Sequence, residues 1–211
     1  NKFIIFDELI NQEQEKNIDK RKFVDLLNKN ELPKYLKNNN KITAVIHMGA
    51  ISATTESNFN KLLISNIRYS QMLWSWCSEN KVPFIYASSA ATYGAGENGY
   101  DDNETSLSKL TPLNAYGYSK HFFDQWALSQ IKFNEPSPPQ WCGLKFFNVY
   151  GPNEYHKNRM ASVVFHAFEQ FQKKKEIRLF KSANKKYKDG MQLRDFIYVK
   201  DAVEFVIYFL K

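Results

Sequence analysis

Residues 87–94 read Ala87-Ser88-Ser89-Ala90-Ala91-Thr92-Tyr93-Gly94, and residues 113–120 read Leu113-Asn114-Ala115-Tyr116-Gly117-Tyr118-Ser119-Lys120. The first stretch ends the apolar run Val82-Pro83-Phe84-Ile85-Tyr86-Ala87, the pattern of a buried parallel strand that delivers a hydroxyl at its carboxyl end. The second opens a helix on which Tyr116 and Lys120, four residues apart, share one face about one turn from each other. A serine beside such a pair makes a proton-transfer site. The Lys120 ammonium is expected to favour the Tyr116 phenolate and lower its pKa from about 10. The spacing alone says little, because with 12 Tyr in a lysine-rich chain of 211 residues about one such pair arises by chance. The strand and its serines give the pair its weight.

Outward from there, strand and helix signals alternate, which argues for a parallel α/β sheet. Strands are expected at 3–6 ending in Asp7, at 23–24 ending in Asp25, at 43–47, at 82–87, at 143–148, at 177–180 and at 194–199. Helices are expected at 33–36, with Pro33 in the first turn, at 56–77, around Tyr116, at 161–173, and from Asp201. Polar residues fall at strand ends, where a doubly wound sheet binds its ligands. Asp7 suits an adenosine ribose or a helix or turn cap. Asp25 suits the adenine amino group or a turn, and Asn66, mid-helix, either braces the strand loops or lies on the surface. An oxidised nicotinamide facing Tyr116 would add a second positive charge favouring the phenolate.

Composition narrows the classes. A content of 43% hydrophobic and 16% aromatic residues excludes a disordered chain. No apolar run reaches membrane-spanning length and no signal-peptide pattern opens the chain, so a cytoplasmic protein without a membrane partner is expected. Cys77 and Cys142 form no C-x-x-C pair and suggest no metal site. The net charge of +7 raises nucleic acid as a partner. The excess sits in stretches such as 37–41, 173–175 and 185–186 with no helix-turn-helix, RNP or zinc-finger pattern, so a phosphate-bearing nucleotide is the better fit.

The first glycine is Gly49, so no Gly-rich phosphate loop adjoins the first strand. In a sheet of order 3-2-1-4-5-6 one strand is then missing between those at Phe3 and Thr43. The chain also opens without Met and stops at Lys211 after a helix, and it is expected to be an internal piece of a longer protein. A divergent sheet with another strand order is the alternative.

Asp25-Leu26, His47-Met48-Gly49-Ala50, Ser88-Ser89-Ala90, Tyr116-x-x-x-Lys120, Asn148-Val149-Tyr150-Gly151-Pro152 and Arg194-Asp195-Phe196 together resemble the extended short-chain dehydrogenase/reductase superfamily of nucleotide-sugar enzymes. Within it the chain is most similar to the ADP-L-glycero-D-manno-heptose 6-epimerases. That likeness rests on 87–94, on 113–120, and on Tyr150-Gly151-Pro152-Asn153-Glu154-Tyr155-His156-Lys157-Asn158-Arg159-Met160-Ala161-Ser162-Val163. It runs from Phe3 to Lys211, with a longer 96–111 loop and a poorly alignable segment between Asp7 and Asp25. The resemblance implies an α/β, doubly wound parallel Rossmann-type sheet lacking its first strand and Gly-rich loop. Residues 1–155 would form the NADP-binding domain, and 156–211 would begin a smaller substrate region with a strand and helix returning to the sheet.

It also implies a tightly held NADP, with NAD as second choice, and ADP-heptose as substrate in a homo-oligomer serving lipopolysaccharide biosynthesis. C6 would be oxidised to an aldehyde and reduced from the other face. Tyr116 and Lys157 are the implied acid/base groups. Lys120 would bind the nicotinamide ribose, and Ser89 the reacting oxygen. Around the cofactor the resemblance places Asp7, Asp25, Lys29, Met48, Gly49, Ala50, Ile51, Ser52, Asn66, Lys120, Val149 and Lys157, with Lys29 favouring NADP. Around the substrate it places Ser89, Asn148, His166, Phe180, Lys181, Ser182, Ala183 and Arg194, whose paired donors suit a diphosphate. Read without the resemblance, Lys157 is an ordinary solvated lysine in a polar loop, and His166 equally fits a buried structural role. Arg159 stands where the family has a small hydroxyl residue. Rival readings are a UDP-hexose 4-epimerase, a dTDP-sugar dehydratase, which would want acidic residues near Ala90-Ala91, and a non-catalytic nucleotide-binding relative, which would typically lose the tyrosine or lysine.

Overall fold

Parallel pairing throughout and helices between the strands define the fold in the computed structural model, which describes residues 2–9, 11–39, 41–183 and 185–211. (Asn40, in the polar 37–41 stretch, lies outside the described residues.) In chain order the elements are β1 (Ile4–Asp7), α1 (Gln12–Glu15), β2 (Asp25–Asn28), α2 (Leu32–Asn38), β3 (Val45–His47), α3 (Phe59–Leu62), α4 (Tyr69–Asn80), β4 (Phe84–Ser89), α5 (Ala115–Lys132), β5 (Trp141–Phe146), β6 (Asn148–Tyr150), α6 (Val163–Lys174), β7 (Phe196–Tyr198) and α7 (Val199–Tyr208). No helix among the described residues is long and apolar enough to cross a membrane.

The chain divides into two compact units. One takes Asn1–Glu8, Lys22–Phe146 and Phe205–Lys211, the other Leu9–Arg21 and Phe147–Glu204. In the first, β1 pairs with β2, and β4 lies between β3 and β5. No ladder joins β1 to β3 among the described residues. That break is where the 3-2-1-4-5-6 order places one more strand. The second unit contains the pair β6–β7.

The core of the first unit explains why β4 is central. Phe84, Ile85 and Tyr86 are buried on consecutive positions, as a strand covered on both faces requires. Phe84 and Tyr86 join Leu32, Leu36, Leu73, Trp74, Cys77, Phe123 and Ala127 in one cluster. Trp74 packs edge-on against Phe84, Phe123, Trp126 and Trp141 with ring centroids 5.0–6.5 Å apart. Each fully buried aromatic of this kind contributes about 2–3 kcal/mol. Gly143 on β5 lies under the Tyr86 ring, which an added Cβ would strike.

Three expectations are corrected. The second strand is 25–28 rather than 23–24, because the half-buried pair is Leu26-Leu27 while Val24 is 58% exposed. Residues 177–180 form no strand: Ile177, Leu179 and Phe180 are exposed, and the Phe180 carbonyl accepts from Gly190 N–H instead of from a ladder. The single helix expected at 56–77 is α3 and α4 joined through a π-helical segment, Leu63–Arg68.

Candidate active site

Ser89 closes β4 and caps the turn that follows, its Oγ accepting from Ala91 N–H at 3.1 Å. Across from it, Asn114 caps α5 by accepting from Gly117 N–H at 2.8 Å, which starts the helix at Ala115 and turns Tyr116 inward. Tyr116 is 8% exposed and lies close enough to the Ser89 side chain for it to favour the phenolate. Gly117 makes this approach possible, since a Cβ there would stand 2.8 Å from the Ala91 carbonyl oxygen and 2.9 Å from Pro112 Cβ. The next turn of α5 carries Lys120, 6% exposed, whose Nζ donates to the Ala87 carbonyl at 2.7 Å. The structure therefore brings Ser89, Tyr116 and Lys120 to one strand end.

The electrostatics differ from the sequence expectation. Burial pushes the Tyr116 phenol above its ordinary value, the Ser89 side chain pulls it down, and the Asp124 carboxylate adds to the rise. The net direction is upward, not the depression expected from Lys120. The physical reason is the burial of the phenol itself; Lys120 is held on Ala87 O at 2.7 Å. Burial lowers its pKa to about 8, against the opposing pull of Asp124.

Asn66 proves to be a brace. Its Nδ2 donates to Ile51 O at 3.0 Å and to Ser119 Oγ at 2.9 Å, and its Oδ1 accepts from Ile51 N–H at 2.9 Å. It is 1% exposed and sits in the π-helical segment, a distortion common at functional sites. The loop Met48, Gly49, Ala50, Ile51 and Ser52 after β3 is thus tied to α5 between Tyr116 and Lys120. His47 completes the brace. Ser70 Oγ donates to Asn66 O at 2.7 Å, so its lone pair accepts from His47 Nε2 at 3.0 Å. That fixes the Nε2–H tautomer. Burial, then the Lys120 charge, lowers the His47 pKa to about 3, so the ring is neutral.

A second polar cluster escaped the sequence reading. Asp124, on α5, is 5% exposed and accepts from Tyr86 OH at 2.9 Å, Ser88 Oγ at 2.6 Å and Lys145 Nζ at 2.6 Å. Lys145 also donates to Thr92 Oγ1 at 2.9 Å, and Thr92 Oγ1 donates to Ser89 O at 2.8 Å. The cluster therefore underpins the turn after Ser89. Asp124 lies four residues beyond Lys120 on the same helical face, the one signal that was legible in advance.

At the β1–β2 end, Asp7 stands at the carboxyl edge beside Asn28, with its Oδ1 accepting from Glu8 N–H at 2.7 Å. Asp25 opens β2 instead of closing it. It pairs with Ile4, three residues (about 10 Å) from the edge where a ligand would sit, and its Oδ1 accepts from Leu26 N–H at 2.8 Å. Asn28 holds the edge position the sequence reading gave to Asp25. Lys29 follows it and pairs with Glu8 at 2.5 Å.

The remaining candidates lie in the other unit. Lys157 is on an exposed 3-10 turn, Tyr155–Met160, with Glu154 Oε2 3.8 Å from its Nζ. Asn148 Nδ2 donates to Asp195 O at 2.8 Å, which locks β6 to the start of β7, and Val149 pairs with Ile197. His166 is half-buried on α6 against Phe165. Phe180, Lys181 and Ala183 are exposed, while Ser182 N–H donates to Asp189 Oδ1 at 2.7 Å. Arg194 is exposed with Nη1 on Leu193 O at 2.8 Å, and Arg159 is exposed.

Comparison with known proteins bears on this arrangement. The chain is 51% identical over 98% of its length to the ADP-L-glycero-D-manno-heptose-6-epimerase of Fusobacterium nucleatum subsp. nucleatum, of which it spans 62%. It is 44% identical over 99% of its length to the enzyme of the same name from Nitratidesulfovibrio vulgaris, of which it spans 64%. The crystal structure of the Helicobacter pylori ADP-L-glycero-D-manno-heptose-6-epimerase superposes with a TM-score of 0.78 at 27% identity, covering 99% of this chain and 64% of that one. The chain thus spans somewhat under two thirds of these relatives. The profile of the NAD dependent epimerase/dehydratase family matches residues 1–211. The chain belongs to the NAD dependent epimerase/dehydratase family.

Proposed function

We propose that this chain carries the acid/base machinery of an ADP-L-glycero-D-manno-heptose 6-epimerase that inverts C6 of ADP-D-glycero-D-manno-heptose. The observation that carries the reading is the convergence of Ser89, Tyr116 and Lys120 at the end of β4, with the Lys120 ammonium one helical turn from Tyr116. The named relatives, at 51% and 44% identity, support the substrate.

The donor set fits a dinucleotide. Asp7 offers an exposed carboxylate to a ribose, Lys29 a cation beside it, the braced 48–52 loop its backbone, and Lys120 an ammonium to the second ribose. Lys29 supports NADP over NAD. When bound, the nicotinamide supplies the acceptor and donor of hydride at C6. Ser89 orients the C6 hydroxyl, and Tyr116 takes its proton once a second positive charge outweighs the burial that holds the phenol up. C6 carries both C5 and C7, so the oxidised sugar is a ketone and not the aldehyde expected from the resemblance. Inversion needs a second proton-transfer group, and we assign Lys157. Asn148, His166, Phe180, Lys181, Ser182, Ala183 and Arg194 are assigned to the nucleotide sugar, and a cytoplasmic homo-oligomer is the expected form of the enzyme.

The test is proton NMR of ADP-D-glycero-D-manno-heptose incubated with the protein, first without added cofactor and then with NADP and with NAD. A mixture of both C6 epimers supports the assignment. No conversion under any of the three conditions removes it.

A further inference from the structure

The turn that bears Lys157 is open to solvent along most of its length: Tyr155 is 57% and Met160 48% exposed. Glu154, at its base, is the exception at 3%. Its Oε1 accepts from Gly151 N–H at 3.1 Å and from the Ser162 hydroxyl at 2.8 Å, and its Oε2 accepts from Ser162 N–H at 2.7 Å. Ser162 in turn caps α6, its Oγ accepting from Phe165 N–H at 3.1 Å. One buried carboxylate thus joins the residue after β6 to the first turn of α6, across the seven residues that separate Glu154 from Ser162.

We infer that Glu154 is a positioning residue for Lys157, closing the 151–162 turn so that the lysine ammonium is presented at one fixed place. The inference rests on the assignment of Lys157 as a proton-transfer group. The backbone of the turn needs such a fastening. Asn153 (φ +72°) and Asn158 (φ +48°, ψ −124°) hold left-handed conformations that persist only where surrounding contacts over-determine them. At the two ends of the turn, Lys157 N–H donates to Glu154 O at 2.9 Å and Ala161 N–H to Asn158 O at 3.2 Å. From outside, Asn17 Nδ2 reaches His156 Nδ1 at 3.0 Å and Asn153 O at 3.4 Å.

The carboxylate also acts through charge. Burial pushes the Glu154 carboxyl up, but the hydrogen bonds from Ser162 and Gly151 and the Lys157 charge outweigh it, so it is held below its ordinary value and stays ionised. Lys157 shares a cavity of about 610 Å³ with Glu154, Arg21, Lys200 and Glu204. Of these, Glu154 is the group within ion-pair distance of Lys157.

The experiment is [ε-13C]lysine NMR of the whole protein in wild type and Glu154→Gln, with the Lys157 resonance identified by its loss in Lys157→Met. Gln keeps the shape but turns a donor toward Ser162 N–H and removes the charge. The expected result is a Lys157 resonance shifted and broadened, with kcat for C6 inversion down about thirtyfold or more and KM within about threefold. A Lys157 chemical shift and line width matching wild type in folded Glu154→Gln overturn the inference, whatever the activity. If wild type inverts no sugar, the function assignment fails while the NMR result still decides the role of Glu154. Should Glu154→Gln not fold, Ser162→Ala removes one of the three donors and must perturb the Lys157 resonance in the same direction; an unperturbed resonance again overturns the inference.

Discussion

Replacing Lys145 by Met isolates the contribution of the buried cluster behind Ser89. The substitution removes the cation 2.6 Å from Asp124 Oδ2, where the two side chains are 18% and 6% exposed. Breaking such a pair by deleting one partner costs about 3–5 kcal/mol, because the surviving charge stays buried. Asp124 retains two short hydroxyl donors, Tyr86 and Ser88, which places the expected loss near the lower end, about 3 kcal/mol. For a chain of this size that corresponds to a fall in Tm of roughly 6–12 °C. The comparison is Lys173→Met, which removes a pair to Glu169 of similar length, 2.8 Å, but with side chains 70% and 44% exposed. Its loss should be at most about 0.5 kcal/mol. Urea unfolding followed by tryptophan fluorescence reads both, since Trp74, Trp126 and Trp141 lie in the adjoining core. The double variant Asp124→Asn/Lys145→Met should recover most of the loss, because a neutral pair of similar size leaves no orphaned charge. If Lys145→Met costs no more than Lys173→Met, the reasoning is wrong and the pair is effectively solvated.

Four other outcomes follow from the same geometry. If the proposed function holds, Tyr116→Phe lowers the rate of C6 inversion by about 10²–10⁴ while leaving urea stability within about 1 kcal/mol, as measured by the NMR conversion assay beside an unfolding curve. Gly117→Ala should destabilise by about 1–3 kcal/mol in thermal melts, since the methyl meets backbone at 2.8 Å; stabilisation, as helix propensity alone would give, contradicts the close packing of α5 on the turn. Lys120 has its folded pKa lowered to about 8 against 10.5, so between these values the unfolded chain binds more protons and stability should rise with pH, by up to about 3 kcal/mol; Lys120→Met should lack that rise in urea titrations at pH 8 and 10.5. His47, lowered to about 3, makes the chain lose stability as pH falls from 6.5 toward 3, by up to about 1.4 kcal/mol per unit, and His47→Gln should flatten that dependence.

Much of the site was legible because it is local. Ser89, Tyr116 and Lys120 are fixed by a strand end and one helical turn, and both follow from a few consecutive residues. The parallel sheet was legible for the same reason, through alternating apolar runs. What escaped depends on contacts distant in sequence. Nothing around Asp124 or Lys145 announces that residues 21 apart meet in the interior. Asp25 was misplaced because Phe23-Val24 looks more strand-like than Leu26-Leu27, yet register with β1 buries the leucines and leaves Val24 outside. The 177–180 strand was read from apolar residues that join no ladder among the described residues, and β pairing is a property of two segments, never of one.

Burial first, and the Asp124 carboxylate with it, hold the Tyr116 phenol above its ordinary value. Asp124 acts on both members of the dyad in opposite senses: it raises the Lys120 pKa, helping to keep the ammonium charged against burial, and it raises the Tyr116 pKa, opposing ionisation. A dyad arranged this way keeps its proton, and under the proposed function the charge of an oxidised nicotinamide would favour its release in the order cofactor, phenolate, proton abstraction. Removing the Asp124 charge should loosen that order, since the Tyr116 phenol loses one of the terms that hold it protonated. In Asp124→Asn, combined with Lys145→Met to keep the interior neutral, the alkaline rise of tyrosinate absorbance assigned by difference to Tyr116→Phe should begin at lower pH than in wild type. A rise that begins at the same pH would mean that burial alone sets the Tyr116 proton and that Asp124 serves only to hold the strand end together.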